Sequence, residues 1–509
     1  MIPVDLPDMP VVLLSHRGPA SFSGGPEGRT ASRGGGGLVT ALVGLAGRLD
    51  QAVWICAATS DEDRAVMREQ DGSPAPLALQ PTPHVVTDAD SDQPTIAVRM
   101  VEVDPQAHDD FYTVIANPLL WFIQHSLYGL ATEPDLTIRE RRAFDDGYVV
   151  VNEVFAEAVI DQVKQFGRPT LVMLHDYHFY LVADRVRAAC PDVVITHFTH
   201  IPWPDPGAWH VLSPEMREQI MAGMLGNDVV AFHTEGFARN FLMCCQELLD
   251  LSIDLEDMTV QIDGRHVHAR WYPISVDVDS IVESMQAAEV QDNVRALTER
   301  FLGDERQLVL RVDRTDPSKN IARGFRAFDV MLNDHPELRG RVTFFAMLQP
   351  SRQDVPEYLG YIHDIGGTVA EINARHALPG WQPIELRLEN DLPLAFAAYS
   401  VCDALMVNAV NDGMNLVAKE AVLVNTRNGV LLLSENTGAH QELGHYAVTL
   451  YPFDIQQQAD ALHRALTMPV EERRRRLTGA AEVVRHNDVG NWLQAQLRDI
   501  ERLTDSSAG

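Results

Sequence analysis

Short runs of β-branched and leucine-rich residues recur along the chain, each followed by a stretch whose apolar positions repeat every three or four residues. The runs 11–14, 53–57, 171–174, 193–198, 229–232, 308–312, 342–346, 404–407 and 429–433 are candidate strands. They are apolar throughout rather than alternating, which suits strands covered on both faces. The segment 321–332 places Ile321, Phe325, Phe328 and Leu332 at the spacing of one helix face. Strand and helix patterns alternate throughout, which predicts an α/β protein with parallel sheets. Residues 58–95, rich in Asp, Pro, Ser and Gln, read as surface loops with little core. In Glu471-Glu472-Arg473-Arg474-Arg475-Arg476 the glutamates precede the arginines at helical spacing, and a solvated helix face is expected. No internal repeat of 20–50 residues is visible.

At 509 residues the chain suits two domains rather than one core. A boundary is expected in Tyr272-Pro273-Ile274-Ser275-Val276-Asp277, where a strand-like run ends in a Pro-containing turn. That gives a first domain over 1–275, a second over 276–485, and a closing helix over 486–509 packing back on the first. Two doubly wound domains facing each other would form a cleft at the carboxyl ends of their strands, where ligands bind in such sheets.

Composition narrows the function. Hydrophobic residues make up 46% of the chain, enough for a sizeable core, and no apolar run reaches the ~20 residues a spanning helix needs. The first residues lack the basic region and cleavage site of a signal peptide, so a cytoplasmic location and no membrane partner are expected. Cys56, Cys190, Cys244, Cys245 and Cys402 are odd in number and show no CxxC spacing, which predicts buried thiols rather than disulfides or a structural zinc site. A formal net charge of −31 excludes the basic face that nucleic-acid binding requires. Only Lys164, Lys319 and Lys419 are lysines among 41 basic residues, and two of them fall within the motifs below. A position that keeps lysine against such a bias calls for a compact ammonium rather than a planar fork.

Several strand ends carry candidate chemistry. Arg33-Gly34-Gly35-Gly36-Gly37-Leu38 opens a helical run, and its backbone could approach an anion; alone, it reads equally as a surface loop. In Asp313-Arg314-Thr315-Asp316-Pro317-Ser318-Lys319-Asn320, Arg314 and Lys319 lie five apart across a tight turn, so both cations can converge on one anionic centre. A departing nucleoside diphosphate gains charge, and preorganised cations stabilise that charge most in the transition state. Asn411-Asp412-Gly413-Met414-Asn415-Leu416-Val417-Ala418-Lys419-Glu420 follows a strand and starts a helix. Asp412 can accept from sugar hydroxyls, the first-turn N–H groups can hold a phosphate, and Glu420 could take a ribose. His175-Asp176-Tyr177-His178 and His200-Ile201-Pro202-Trp203-Pro204 place polar pairs at two further strand ends. No imidazole or carboxylate recurs at helical i, i+4 spacing there, so no metal site and no cofactor are expected.

Together HDYH, HIPWP, RTDPSK and DGMNLVAKE make the chain resemble the trehalose-6-phosphate synthase family from about Val11 to Trp492, nearly its whole length. The resemblance implies a retaining glycosyltransferase of two facing Rossmann-like domains, the GT-B arrangement, with the active site in the cleft between them. It implies transfer of glucose from UDP- or GDP-glucose to glucose 6-phosphate. By position it gives Gly36, Gly37, Arg314 and Lys319 to the donor diphosphate. Asp412 and the segment Gly413, Met414, Asn415, Leu416 and Val417 would hold the donor glucose and phosphate, with Glu420 on the ribose. His200 would contact the donor sugar, and Asp176 would lie at the reacting centre. Arg17, Tyr112 and Arg352 would bind the phosphate of glucose 6-phosphate, with Trp121 packing by its sugar; without the resemblance, Tyr112 and Trp121 read as core aromatics.

The chain departs from the family in places. The family often reads RLDYSKG where this chain has Arg314-Thr315-Asp316-Pro317-Ser318-Lys319-Asn320, and it often has a Thr-Pro pair before DGMNLVAKE, where this chain runs Val407-Asn408-Ala409-Val410-Asn411. Ala421 replaces a common tyrosine. These changes leave the donor base open, and the sequence does not settle the oligomeric state, a homo-oligomer being possible. Asn408 also resembles related pseudo-glycosyltransferases that join cyclitols through nitrogen, which is the alternative reading, although those relatives lose much of DGMNLVAKE and the acceptor tyrosine. A silent regulatory subunit that keeps the fold for binding is the third reading.

Overall fold

The computed structural model describes residues 9–25, 28–33, 39, 42–43, 51–79, 85–86, 95–303 and 306–507. The chain divides into two compact units: one formed by Met1–Gln124, Tyr128–Tyr272 and Gly490–Gly509, the other by His125–Leu127 and Pro273–Val489. Each is an α/β unit on a parallel sheet, as the uninterrupted apolar runs require.

In the first unit the parallel strands lie in the order Arg265–Trp271, Val229–Phe232, Val194–Phe198, Leu171–His175, Val11–Leu14, Ala52–Ala57, Thr95–Val101. Antiparallel strands extend both edges. Val11–Leu14 is central and wholly buried, so the residues after it, after Leu171–His175 and after Val194–Phe198 emerge side by side at one end of the sheet. The helix Val489–Ser507 belongs here: the Tyr272 hydroxyl donates to the Asp499 carboxylate at 2.8 Å, and Trp492 packs edge-on against Phe198.

In the second unit the strand order is Ile384–Arg387, Val342–Gln349, Gln307–Arg314, Ala404–Val407, Val430–Ser434, Val448–Leu450, all parallel. The face of Ile321–Asp334 anticipated from periodicity enters the core: Ile321, Phe325, Phe328 and Leu332 are fully buried, with Phe344 edge-on to both phenylalanines. Here too the strand order exposes the ends of two neighbours, Gln307–Arg314 and Ala404–Val407, next to each other.

Two expectations need correction. Within 58–95 the structure has the helix Asp61–Glu69 and the strand Ala75–Leu79. The helix was invisible to an apolar-stripe search because its start is fixed by a reciprocal cap between Ser60 and Asp63, with Asp61, Glu62 and Asp63 in the first turn. Asp63 is itself buried and accepts from the Phe22 amide at 2.8 Å. The arginine run is not one solvated face either. Arg474 and Arg475 pair with Glu471 and Glu472 in solvent, but Arg473 turns inward to Asp403 (3.1 Å) and the Asn428 carbonyl, and Arg476 to the Tyr446 and Ala447 carbonyls.

The five cysteines are free thiols, Cys190 alone partly exposed. Among the described residues no helix is long and apolar enough to cross a membrane.

Asp403 is 3% exposed and keeps Arg427 as a second partner. Arg473→Ala should therefore cost about 2 kcal/mol in denaturant unfolding, somewhat less than breaking a buried pair outright. Arg474→Ala should cost under about 0.5 kcal/mol, as an exposed pair does. Equal losses would mean the inward and outward arginines are energetically alike.

Candidate functional site

At the strand ends of the first unit, backbone geometry is tightly specified. Asp176 follows Leu171–His175 with φ of 73°, a conformation rare for a residue with a Cβ. One carboxylate oxygen accepts from the His200 amide at 3.2 Å, its carbonyl faces His197 Nε2 at 3.1 Å, and His175 Nδ1 lies 3.2 Å from His200 Nε2. The two predicted strand-end motifs are therefore brought together around Asp176. Burial pushes His175 and His197 down to about 3. Burial also drives His200 well below its usual value, helped by its neighbours His233, His175 and His197. At neutral pH His200 is thus an uncharged imidazole, fit to hydrogen-bond a sugar hydroxyl rather than to pair with an anion.

On the other side of the same sheet end, Ser15 Oγ donates to the Arg17 carbonyl at 2.6 Å and accepts from Trp54 Nε1, which fixes the bend after the first strand. Arg17 itself is exposed. His16, next to it, stacks on Tyr112 (centroids 5.0 Å) and on His178 (4.9 Å), so Tyr112 stands beside the chain that presents Arg17. Trp121 is 5% exposed and packs edge-on against Tyr177. Gly36 and Gly37 lie outside the described residues.

In the second unit, RTDPSKN forms a strand end, the short turn Pro317–Lys319 and the start of Ile321–Asp334. Arg314, 39% exposed, bridges to the fully buried Asp316 at 2.6 Å, and Lys319 Nζ meets Asp412 Oδ2 at 2.5 Å. Burial works to raise both carboxyls, but Lys319 and the Asn415 amide group overcome it at Asp412, and Arg314 and Arg352 at Asp316. Both are ionised near neutral pH. Arg352 has φ of 48°, and its guanidinium lies over the Tyr358 ring and donates to the Tyr358 hydroxyl at 2.5 Å. Arg314, Lys319, Asp412 and Arg352 are thus neighbours at the end of the central strands.

The helix Leu416–Val424 is capped by Asn415, with φ of 132° and Oδ1 accepting from the Ala418 amide at 3.0 Å. Gly413 and Met414 are buried, Leu416 and Val417 half-buried in its first turn. A following turn clamps this loop: the Asp412 amide donates to the Asn436 carbonyl, and the Gly438 amide to the Asp412 carbonyl. A Cβ on Gly438 would sit 2.0 Å from the Gly413 carbonyl oxygen, so glycine is required there. Glu420, one turn on, is pushed up to about 7 by burial, with only the Tyr399 hydroxyl at 3.3 Å opposing. Lys419 points elsewhere: 1% exposed, its ammonium joins Glu442 (2.5 Å) and the Ile274 carbonyl (2.8 Å), anchoring the helix.

Sequence reasoning missed Arg311. It sits mid-strand, fully buried, donating to the Lys319 carbonyl (3.0 Å), to Asp313 (3.2 Å) and to Asn408 Oδ1. Asn408 donates in turn to Gln458 (2.7 Å) and the Asn320 carbonyl, and Asn320 to the Asn408 and Pro452 carbonyls. The departures at Asn320 and Asn408 therefore belong to one buried polar network behind the Lys319 turn. An arginine in the apolar run Leu308-Val309-Leu310-Arg311-Val312 was the available signal, because a fully buried charge needs partners.

The sequence profile of Glycosyltransferase family 20 matches residues 11–502. The chain is 29% identical to the UDP-forming alpha,alpha-trehalose-phosphate synthase A of Dictyostelium discoideum, over 98% of this chain and 63% of that protein. It is 31% identical to the bifunctional trehalose-6-phosphate synthase/phosphatase of Thermoproteus tenax, over 95% and 62%. It spans less than two thirds of either relative. A crystal structure of a UDP-forming alpha,alpha-trehalose-phosphate synthase from Burkholderia xenovorans in complex with glucose-6-phosphate superposes with a TM-score of 0.77 at 27% identity, over 96% of this chain and all of that one. With a profile match along nearly its whole length, the chain belongs to glycosyltransferase family 20.

Proposed function

We propose that the chain transfers glucose, with retention, from a nucleoside diphosphate glucose to the anomeric hydroxyl of glucose 6-phosphate, giving α,α-trehalose 6-phosphate. The observation that carries this reading is the convergence of Arg314, Lys319 and Arg352 around Asp316 and Asp412, beside the amino end of Leu416–Val424. Cations and free amides at one point suit a diphosphate leaving group, and a fixed carboxylate beside them suits sugar hydroxyls. Arg314 and Lys319 hold the departing diphosphate, and the first-turn amides of Leu416 and Val417 hold its phosphate. Asp412 orients the glucose, Glu420 the ribose, and the neutral His200 a glucose hydroxyl. The acceptor phosphate falls to Arg17, Tyr112 and Arg352, and Asp176 to the reacting centre. The bond from the glucose anomeric carbon to the diphosphate oxygen breaks as that carbon bonds the acceptor oxygen on the same face, and the departing oxygen takes the acceptor proton.

The Dictyostelium relative is named UDP-forming, which favours UDP-glucose as donor. Asn320 and Asn408 spend their amides in the buried network, so neither departure supports guanosine or a cyclitol substrate.

Purified full-length protein supplied with glucose 6-phosphate and UDP- or GDP-glucose should release trehalose 6-phosphate, identified by mass spectrometry and by the anomeric couplings in NMR. Arg314→Ala should lower kcat by on the order of 10²-fold, as for loss of a main transition-state donor. No product with any glucosyl nucleotide would overturn the reading. Because Glu420 titrates near 7 and only its carboxylate can accept two ribose hydroxyls, kcat/KM for the donor should fall as pH drops below about 7, and Glu420→Gln should flatten that limb. Arg311 is a positioning residue here. Arg311→Met should lower kcat on the order of ten-fold with acceptor KM unchanged, in line with displacement of a catalytic cation. The same change in a Lys319→Ala background should have almost no further effect; fully additive losses would mean that Arg311 does not act through Lys319.

A further inference from the structure

The helices Ile321–Asp334 and Ile455–Thr467 carry Asn320 and Gln458 at their amino ends, within the network behind the Lys319 turn. Their other ends bring together groups that the proposed function does not use. His335 ends the first helix, Glu337 follows in the turn Pro336–Leu338, and His463 lies in the last turns of the second helix. One ligand atom from each of the three lies within 4.8 Å of the others. The two imidazoles lie face to face, centroids 3.6 Å apart and planes within 2°, and His335 Nδ1 is 3.5 Å from Glu337 Oε1. A parallel face-to-face pair is the arrangement aromatic rings least prefer, and two imidazolium rings at that distance would repel. Nothing in the rings' own interaction recommends this arrangement, whereas two neutral imidazoles and a carboxylate are a donor set for a borderline metal ion.

We propose that His335, Glu337 and His463 form a binding site for a divalent transition-metal ion of the zinc class. Zinc–nitrogen bonds of about 2.0–2.1 Å in a tetrahedral site place ligand atoms roughly 3.3 Å apart, so the two rings would tilt out of their parallel stack until both lone pairs met at the ion, and atoms now up to 4.8 Å apart would close by up to about 1.5 Å. Two imidazoles with one carboxylate select Zn²⁺, Ni²⁺ or Cu²⁺ over Mg²⁺ and Ca²⁺, which require oxygen ligands. His335 and His463 are partly exposed and Glu337 is exposed, so the ion has a path in and water can complete its coordination. The bound ion would staple together two packed helices at the ends remote from Asn320, about 20 Å along a 14-residue helix. This site stands independently of the proposed reaction.

The test uses full-length protein stripped with a chelator and exchanged into non-coordinating buffer. Titration calorimetry with ZnCl₂ should show a micromolar site that raises the unfolding midpoint, as any ligand specific for the folded state does. His463→Gln should lose that site and the midpoint rise while unfolding cooperatively without metal. Glu337→Gln, a change at an exposed side chain, should weaken zinc by at least the ~10-fold that even outer partners of a metal are worth. MgCl₂ should give no isotherm at that site. Absence of micromolar zinc binding, zinc binding by both variants as tight as that of the unsubstituted protein, or Mg²⁺ binding of equal strength would each overturn the proposal.

Discussion

Lys319 and Asp412 meet at 2.5 Å with little of either side chain left to water, and the loops at the strand ends of the second unit are arranged around that pair. A desolvated ion pair is tolerable only when the geometry is fixed and the remaining valences are satisfied. The fold supplies both conditions. Asn415 braces the same carboxylate, Asn436 and Gly438 pin the backbone around it, and Arg311 grips the carbonyl of the lysine itself. Under the proposed reaction, an ammonium so held would exchange part of its contact for an incoming phosphate without searching for a position. That is how a preorganised site differs from a solvated charge.

The same regions hold the backbone in conformations that side chains resist. Asp176, Asn320, Arg352 and Asn415 all have positive φ. Such residues cost on the order of 1–3 kcal/mol each and persist only where the surroundings over-determine them. Here those surroundings are visible: the His200 amide on Asp176, the doubly donating amide of Asn320, the Tyr358 ring under Arg352, and the helix cap made by Asn415. Asparagine tolerates the left-handed region better than most side-chain-bearing residues, which accounts for Asn320 (φ 59°, ψ 35°); Asp176 (ψ 171°) and Asn415 (ψ 96°) lie outside that region and are held by their contacts. Arg352 is held by its aromatic partner.

The parallel α/β layout was legible because buried strands read as unbroken apolar runs, and the strand ends then pointed to the motifs. That Arg314, Lys319 and Asp412 gather at adjoining strand ends could be read from their type and from the strand-end positions of their motifs. Asn320 and Asn408 could not: an amide looks the same facing a nucleotide or facing Arg311, and only three-dimensional partners decide. Lys419 looked equivalent to Lys319 in a lysine-poor chain, yet it is a structural anchor. The helix Asp61–Glu69 escaped because a cap, rather than an apolar stripe, specifies it.

The first unit is discontinuous in sequence, because Gly490–Gly509 rejoins it after the whole of the second unit has been laid down. Phe198 and Tyr272 make their contacts to Trp492 and Asp499 only when that last segment arrives. Neither unit therefore corresponds to a single contiguous stretch of gene, and an amino-terminal fragment would leave apolar and hydroxyl groups of its sheet uncovered. During synthesis on the ribosome, the amino-terminal sheet must wait for Trp492 and Asp499, made after the whole second unit, before its packing is complete.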